Sequence, residues 1–282
     1  MANPLEQAIQ SGIRANETVG GLFAKVGTRE HPRGFVLSAY RNANRAMRSA
    51  LAEPFPVAAA AEVMAGLRRT VRSEALSMFG DAEAAGQEEA ARQLRFYGIE
   101  SNPNPTFSTL ALASADALTA RIDAQSAAIQ ALLLTGATAD QITGDGERQA
   151  VLRASDVAIW AAQMAASLLW GAFESWAVTH SGGFTWKKQA VAALDNRTTD
   201  CCLRVHGQIQ PFSRPFILTG TPRYADRMDW PGFHPWCRTA GVLYLDEYDS
   251  GLTERMTGAA AGILDERANG KFIDRNPADA FG

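Results

Sequence analysis

The stretch Leu194-Asp195-Asn196-Arg197-Thr198-Thr199-Asp200-Cys201-Cys202, followed by His206-Gly207 and then His234-Pro235-Trp236-Cys237-Arg238, decides how the C-terminal third is read. It holds all three cysteines of the 282-residue chain and two of its four histidines. Zinc is commonly bound by Cys and His, with ligand pairs separated by about two to five residues. His234-x-x-Cys237 is such a pair, in a loop that Pro235 restricts, and Cys202 stands upstream of it. Cys202, His234 and Cys237 are therefore the favoured ligands. A tetrahedral ion needs a fourth, for which Cys201, His206 and Asp195 are the candidates. Two other readings stay open. The cysteines are small buried apolar groups, or Cys202 and Cys237 form a disulfide. An odd cysteine count with two adjacent thiols fits a reducing compartment better than secretion.

Around these residues, short apolar pieces alternate with Pro, Gly and polar residues. Gln208-Ile209-Gln210 and Ala240-Gly241-Val242-Leu243-Tyr244 read as short strands. A last helix is expected near 251–264, and the polar tail 269–282 is expected to be extended. Residues 181–268 thus read as a small α+β module with a Cys/His cluster.

The first 180 residues read as helical. Val36, Tyr40, Ala43, Met47 and Leu51 recur at helical spacing and predict an amphipathic helix over about 34–52. Pro54 and Pro56 end it and seed the next, over 57–78. Asp81 is expected to cap a third helix that Gly98 closes. Breaks follow at Ser101-Asn102-Pro103-Asn104-Pro105, at Thr135-Gly136, at Gly144-Asp145-Gly146 and at Ser181-Gly182-Gly183, with a long helix over about 107–135. The fold class is α+β: a mostly helical N-terminal region, then the small module.

Composition excludes several classes. With 46% hydrophobic and 20% charged residues and a net charge of −3, the chain is neither disordered nor a disulfide scaffold. The N-terminus has no basic stretch followed by an apolar run, so no secretory leader is expected. Val157–Phe173 lacks charge over 17 residues, whereas a membrane span needs roughly 20 apolar residues. A buried helix or an oligomer contact fits better than a stable span. Residues 1–72 carry ten Lys/Arg against five Asp/Glu, and 73–180 carry five against thirteen. The basic groups Arg41, Arg45, Arg48 and Arg68, Arg69, Arg72 are candidates for phosphate or acidic-partner contacts. Solvated helix faces are the plainer explanation. No phosphate-binding loop or dinucleotide fingerprint is present. Asp195, Cys202 and His234 contain the residue types of a nucleophilic triad, but no activating helix terminus is readable and Cys237 would be idle. An enzyme is not expected.

Asp195-x-Arg197-Thr198, Cys202-x4-Gly207 and His234-Pro235-Trp236-Cys237-Arg238, led by Trp186-Lys187-Lys188, resemble the signature of the phage head morphogenesis family. This is the minor head protein group named after protein F of phage Mu, which also includes the minor head protein of phage SPP1. The resemblance covers about residues 184–245. Thr199 and Thr239 stand where many members carry further cysteines. The resemblance implies a structural protein of the virion head, near the portal vertex and in the host cytoplasm during assembly. Its implied partners are the portal and other capsid proteins and, non-specifically, packaged DNA. Asp195, Arg197, Thr198, Gly207 and Arg238 are then structural motif residues, and zinc is the cofactor that the Cys/His spacing suggests. Two alternatives remain: a membrane-active protein ejected with DNA, and a hydrolase or toxin-like enzyme using Asp195, Cys202 and His234.

Overall fold

The structure, a computed structural model, describes residues 3–27, 33–100, 108–143, 153–179, 183–195, 197–234 and 236–270. The breaks expected at 101–105, 144–146 and 181–182, and the tail beyond 270, lie outside the described residues. The chain has a mostly helical N-terminal region and, beyond it, short antiparallel strands beside a Cys/His cluster, the α+β class expected from sequence.

Among the described residues, six helices precede the first strand: α1 (Pro4–Val26), α2 (Phe35–Ala50), α3 (Pro56–Phe96), α4 (Ser108–Leu134), α5 (Ala139–Thr143) and α6 (Ala154–Thr179). The α2 stripe is buried as its spacing requires, through Val36, Ala39, Tyr40, Ala43, Met47 and Ala50. α3 corrects the expected break at Asp81. Its apolar stripe runs on through Met78, Phe79 and Ala82, all buried. Gly80 costs about 1 kcal/mol in a helix interior, which does not outweigh that continuous burial. Asp81 sits inside the helix, with its carboxylate paired to Lys25 instead of capping. Pro56 opens α3 at its first position, where its missing N–H costs nothing.

The strands are β1 (Lys187–Ala192), β2 (Ile209–Pro211), β3 (Phe216–Ile217), β4 (Arg227–Met228) and β5 (Thr239–Tyr244). The short helix α7 (Asp200–Val205) follows β1, and α8 (Leu252–Ala268) follows β5. β1 is central in an antiparallel sheet of order β2-β1-β5. Its residues alternate between two apolar clusters, as a pleated strand requires. Ala190 and Ala192 face Cys201, Cys202, Val205, Phe216, Phe233 and Cys237. Val191 faces Leu5, Ile9, Val242 and Met256 on the opposite side.

Two compact groups of residues emerge. One comprises residues 1–20, 82–106 and 166–282, and the other 21–81 and 107–165. The group with the sheet therefore draws in residues from α1, α3 and α6. Within it, Gly86 of α3 lies so close to Leu169 of α6 that a Cβ would stand 2.0 Å from the Leu169 carbonyl oxygen. The end of α3 also covers the free edge of β5. Gln93 Oε1 accepts from the Leu243 N–H at 2.8 Å, and the Tyr97 hydroxyl donates to the Leu243 carbonyl at 2.9 Å. An uncovered edge strand would template pairing with another chain.

In the other group, α4 buries Ala111, Ala115, Leu118, Ile122 and Ile129. Arg68 pairs with Asp123 and Arg72 with Asp116, both on α4. These two arginines of the expected basic group are thus matched by carboxylates. Arg41, Arg45 and Arg48 lie on the exposed side of α2, with Arg48 Nε donating to Thr143 Oγ1, and Arg69 is exposed on α3. In α6, the window 156–173 is long and apolar enough to cross a membrane, yet 61% of it is buried inside the protein. A core helix passes the same test.

Candidate metal centre

The site is assembled from three short segments. Asp195 folds the first. Its Oδ1 accepts from the Arg197 N–H at 3.0 Å and lies 3.1 Å from the Thr198 hydroxyl, which itself donates to the Ala193 carbonyl. Asp195 Oδ2 takes an ion pair from Arg238, the residue after Cys237. The carboxylate thereby ties two segments that are over forty positions apart in sequence. Arg267 of α8 adds bonds to Asp200 and to the Asp195 carbonyl. Asp195, Thr198 and Arg238 thus form one structural knot. Arg197 takes part through its backbone, and its side chain is exposed.

Thr199 begins the second segment. It caps α7, accepting from the Cys202 N–H at 3.5 Å, as a Thr at this position does. The cap places Cys202 in the first turn of α7. This helix start was not anticipated, although Thr199-Asp200 ahead of an apolar run is a legible cap signal. Gly207 closes the segment with φ +82°, and a Cβ there would stand 2.5 Å from Thr257 Cγ2. Both its conformation and its neighbour demand glycine.

His234 and Cys237 come from the third segment. The Cys237 N–H donates to the His234 carbonyl at 3.2 Å, closing a tight turn. Trp236 takes a left-handed φ of 57° between them, a conformation costly for a bulky residue.

The three side chains converge. His234 Nε2 lies 3.0 Å from Cys202 Sγ, and Cys202 Sγ lies 3.6 Å from Cys237 Sγ. All three residues are buried, and their ligand atoms lie within 4.8 Å of one another. Such a group can hold a metal ion. A tetrahedral ion with bonds of about 2.3 Å to sulfur separates two sulfurs by about 3.8 Å, close to the distance found. The nitrogen would move outward by about half an ångström to meet the same ion.

Electrostatics favour ligation. The Cys237 thiol donates to Cys202 and, against the opposing effect of burial, brings its thiol down to about 7. The Thr199 and Thr239 hydroxyls and the Arg238 N–H act in the same direction. Burial, and then Cys202 itself, hold Cys237 well above the ordinary thiol range. The pair thus shares one easily lost proton, and a cation would draw off the second.

The three residues proposed as a fourth ligand are placed otherwise. Asp195 has both oxygens occupied in the knot. His206 accepts from the Ala192 N–H at 2.8 Å through Nδ1, and burial lowers its imidazole to about 4. It holds β1 in place. Cys201 is buried in the apolar cluster outside the converging atoms, and burial raises its thiol to about 11. The Asp195 carboxylate is committed to Arg238 and to the 197–198 turn. All three cysteines are free thiols.

One feature carries no burial signal in the sequence, where Lys188 stands only in the lead-in Trp186-Lys187-Lys188. Lys188 is fully buried, with Nζ donating to the carbonyls of Phe212 at 3.2 Å and Asp229 at 2.9 Å. The same ammonium lies over the rings of Trp230 and Phe216. It pins the 212–230 loops onto β1. Comparison of the chain with protein-family models, with curated proteins and with solved structures gave no match.

Proposed function

We propose that the chain is a minor head protein of a phage virion, acting at the portal vertex and passing through the host cytoplasm during assembly. Its work is binding rather than catalysis. The Cys/His module is a rigid docking unit, and the helices supply contacts to the portal and other capsid proteins, arranged around the portal. One observation carries this reading: the residues of the head-morphogenesis signature interlock. Asp195 binds Arg238, and Cys202 meets His234 and Cys237. A signature spread over more than forty positions is thereby accounted for as one physical unit.

Cys202, His234 and Cys237 would hold zinc, which cross-links the two loops. Packaged DNA is a secondary partner, met by the exposed arginines Arg41, Arg45 and Arg48 of α2 and Arg69 of α3. Co-purification with the portal protein encoded beside it tests the assembly role; absence of the chain from portal-containing procapsids would overturn it. Metal analysis of protein purified without chelator tests the zinc. About one equivalent is expected, lost in Cys202→Ser.

A further inference from the structure

Among the described residues, the candidate metal centre is one protein ligand short. Cys202, His234 and Cys237 supply two sulfurs and one nitrogen. Asp195, His206 and Cys201 are each engaged or placed elsewhere. What faces the converging atoms instead is hydroxyl. Thr199 Oγ1 lies 2.8 Å from His234 Nε2, the atom that Cys202 Sγ also approaches. Thr239 contributes the second hydroxyl. It is buried, it bears on the Cys202 thiol, and its Oγ1 has no hydrogen-bond partner of ordinary geometry among the described residues. A buried hydroxyl without a partner is ordinarily satisfied by an ordered small molecule such as water. A neutral threonine hydroxyl is a poor ligand for zinc, which prefers thiolate, imidazole and carboxylate. It is a good hydrogen-bond partner for something the metal binds.

We propose that the centre has three protein ligands and leaves its fourth position to a small exchangeable oxygen donor, water or hydroxide, held by the Thr199 and Thr239 hydroxyls. This rests on the metal reading of the Cys202, His234 and Cys237 group. Closed structural zinc sites carry four protein ligands, and an open position is the mark of a site that takes an external ligand. Thr199 and Thr239 are positioning residues here. They orient the fourth ligand without touching the ion, as outer-shell groups do.

Cobalt(II) substitution of the full chain tests this, read by its visible and near-ultraviolet absorption and by metal affinity. In the wild type, azide or imidazole shifts the visible bands, because the fourth position exchanges. In Thr199→Cys a third thiolate enters, and the near-ultraviolet thiolate band grows by about half, in proportion to the sulfur count. Thr239→Val, which leaves the α7 cap intact, weakens metal binding about tenfold, the magnitude typical of outer-shell groups. Thr239→Ser restores it. The proposal is overturned if the bands ignore added ligand, since the fourth position is then held by the protein; Cys201→Ser and His206→Asn report whether either of those residues holds it. Failure of the wild type to take up cobalt or zinc is a separate result. It removes the centre itself, and this inference with it.

Discussion

His206 shows how one buried side chain sets a pH limit. Its ring accepts the Ala192 N–H and sits among apolar neighbours, so protonation in place is opposed. The folded value of about 4 lies below the 6.5 of an exposed imidazole. Above pH 6.5 the ring is neutral in both states and contributes no pH dependence. As pH falls from 6.5 towards 4, the unfolded chain takes up a proton that the folded chain refuses, so stability declines. The full loss is on the order of 3 kcal/mol. His206→Asn keeps an acceptor but does not titrate. Urea unfolding with chelator present should show a shallower decline between pH 6.5 and 4 for the variant than for the wild type. Identical slopes would mean that the ring is not buried neutral. Asp195 is the complementary case, a carboxylate with every oxygen used. Asp195→Asn removes the Arg238 ion pair, about one-third exposed on the arginine side. A cost of roughly 1–3 kcal/mol is expected, because the loss extends to a hydrogen-bonded charge rather than a solvated surface pair. A melting temperature equal to the wild type would show that the two loops do not depend on that pair.

Among the elements, β5 makes the sharpest prediction. Its Leu243 backbone is satisfied on the open side by two side chains of α3, Gln93 and Tyr97. Gln93→Leu leaves the Leu243 N–H buried without its acceptor, which costs about 1–3 kcal/mol. It also frees Glu89 Oε1 from its Gln93 partner. Concentration-dependent light scattering should rise in the variant, because an uncovered edge pairs with other chains. Unchanged scattering and stability would place the edge protection elsewhere. The elements also differ in how far the sequence discloses them. α2 was legible because its apolar residues repeat at helical spacing and nothing competes with them. The break in α3 was wrongly expected because Gly80-Asp81 carries cap chemistry, whereas tertiary burial of Phe79 and Ala82 decides the outcome. β1 was not legible at all. Lys188 stands out only within the lead-in Trp186-Lys187-Lys188, yet it is buried against carbonyl oxygens and aromatic rings that arrive from loops far along the chain. The converging group Cys202, His234 and Cys237 could be picked out by residue type and spacing. The assignment of Asp195 to Arg238, and of His206 to β1, depends on contacts that spacing does not encode.

For the whole molecule, the proposed metal site predicts where binding of an ion would be felt. The ligands belong to two loops, one starting α7 and the other leading into β5, and both rest on β1. Metal that binds only the folded arrangement stabilises it by mass action, and the ordering it supplies is confined to what the ligands touch. α2 and α4 bury their own apolar stripes and are joined by the Tyr40 hydroxyl, which donates to Gln125. They contain none of the ligands. Removing metal with a chelator should therefore change amide hydrogen exchange unevenly along the chain. Peptides covering 187–211 and 230–245 should lose protection by at least tenfold, the effect of about 1.4 kcal/mol of local destabilisation. Peptides from α2 and α4 should be unchanged. Cys202→Ser should reproduce the chelated pattern without chelator, because it removes one of the three converging ligands. Uniform loss of protection would mean that the metal supports global folding. No loss at all would show that the thiol–imidazole group is held by its own hydrogen bonds and needs no ion.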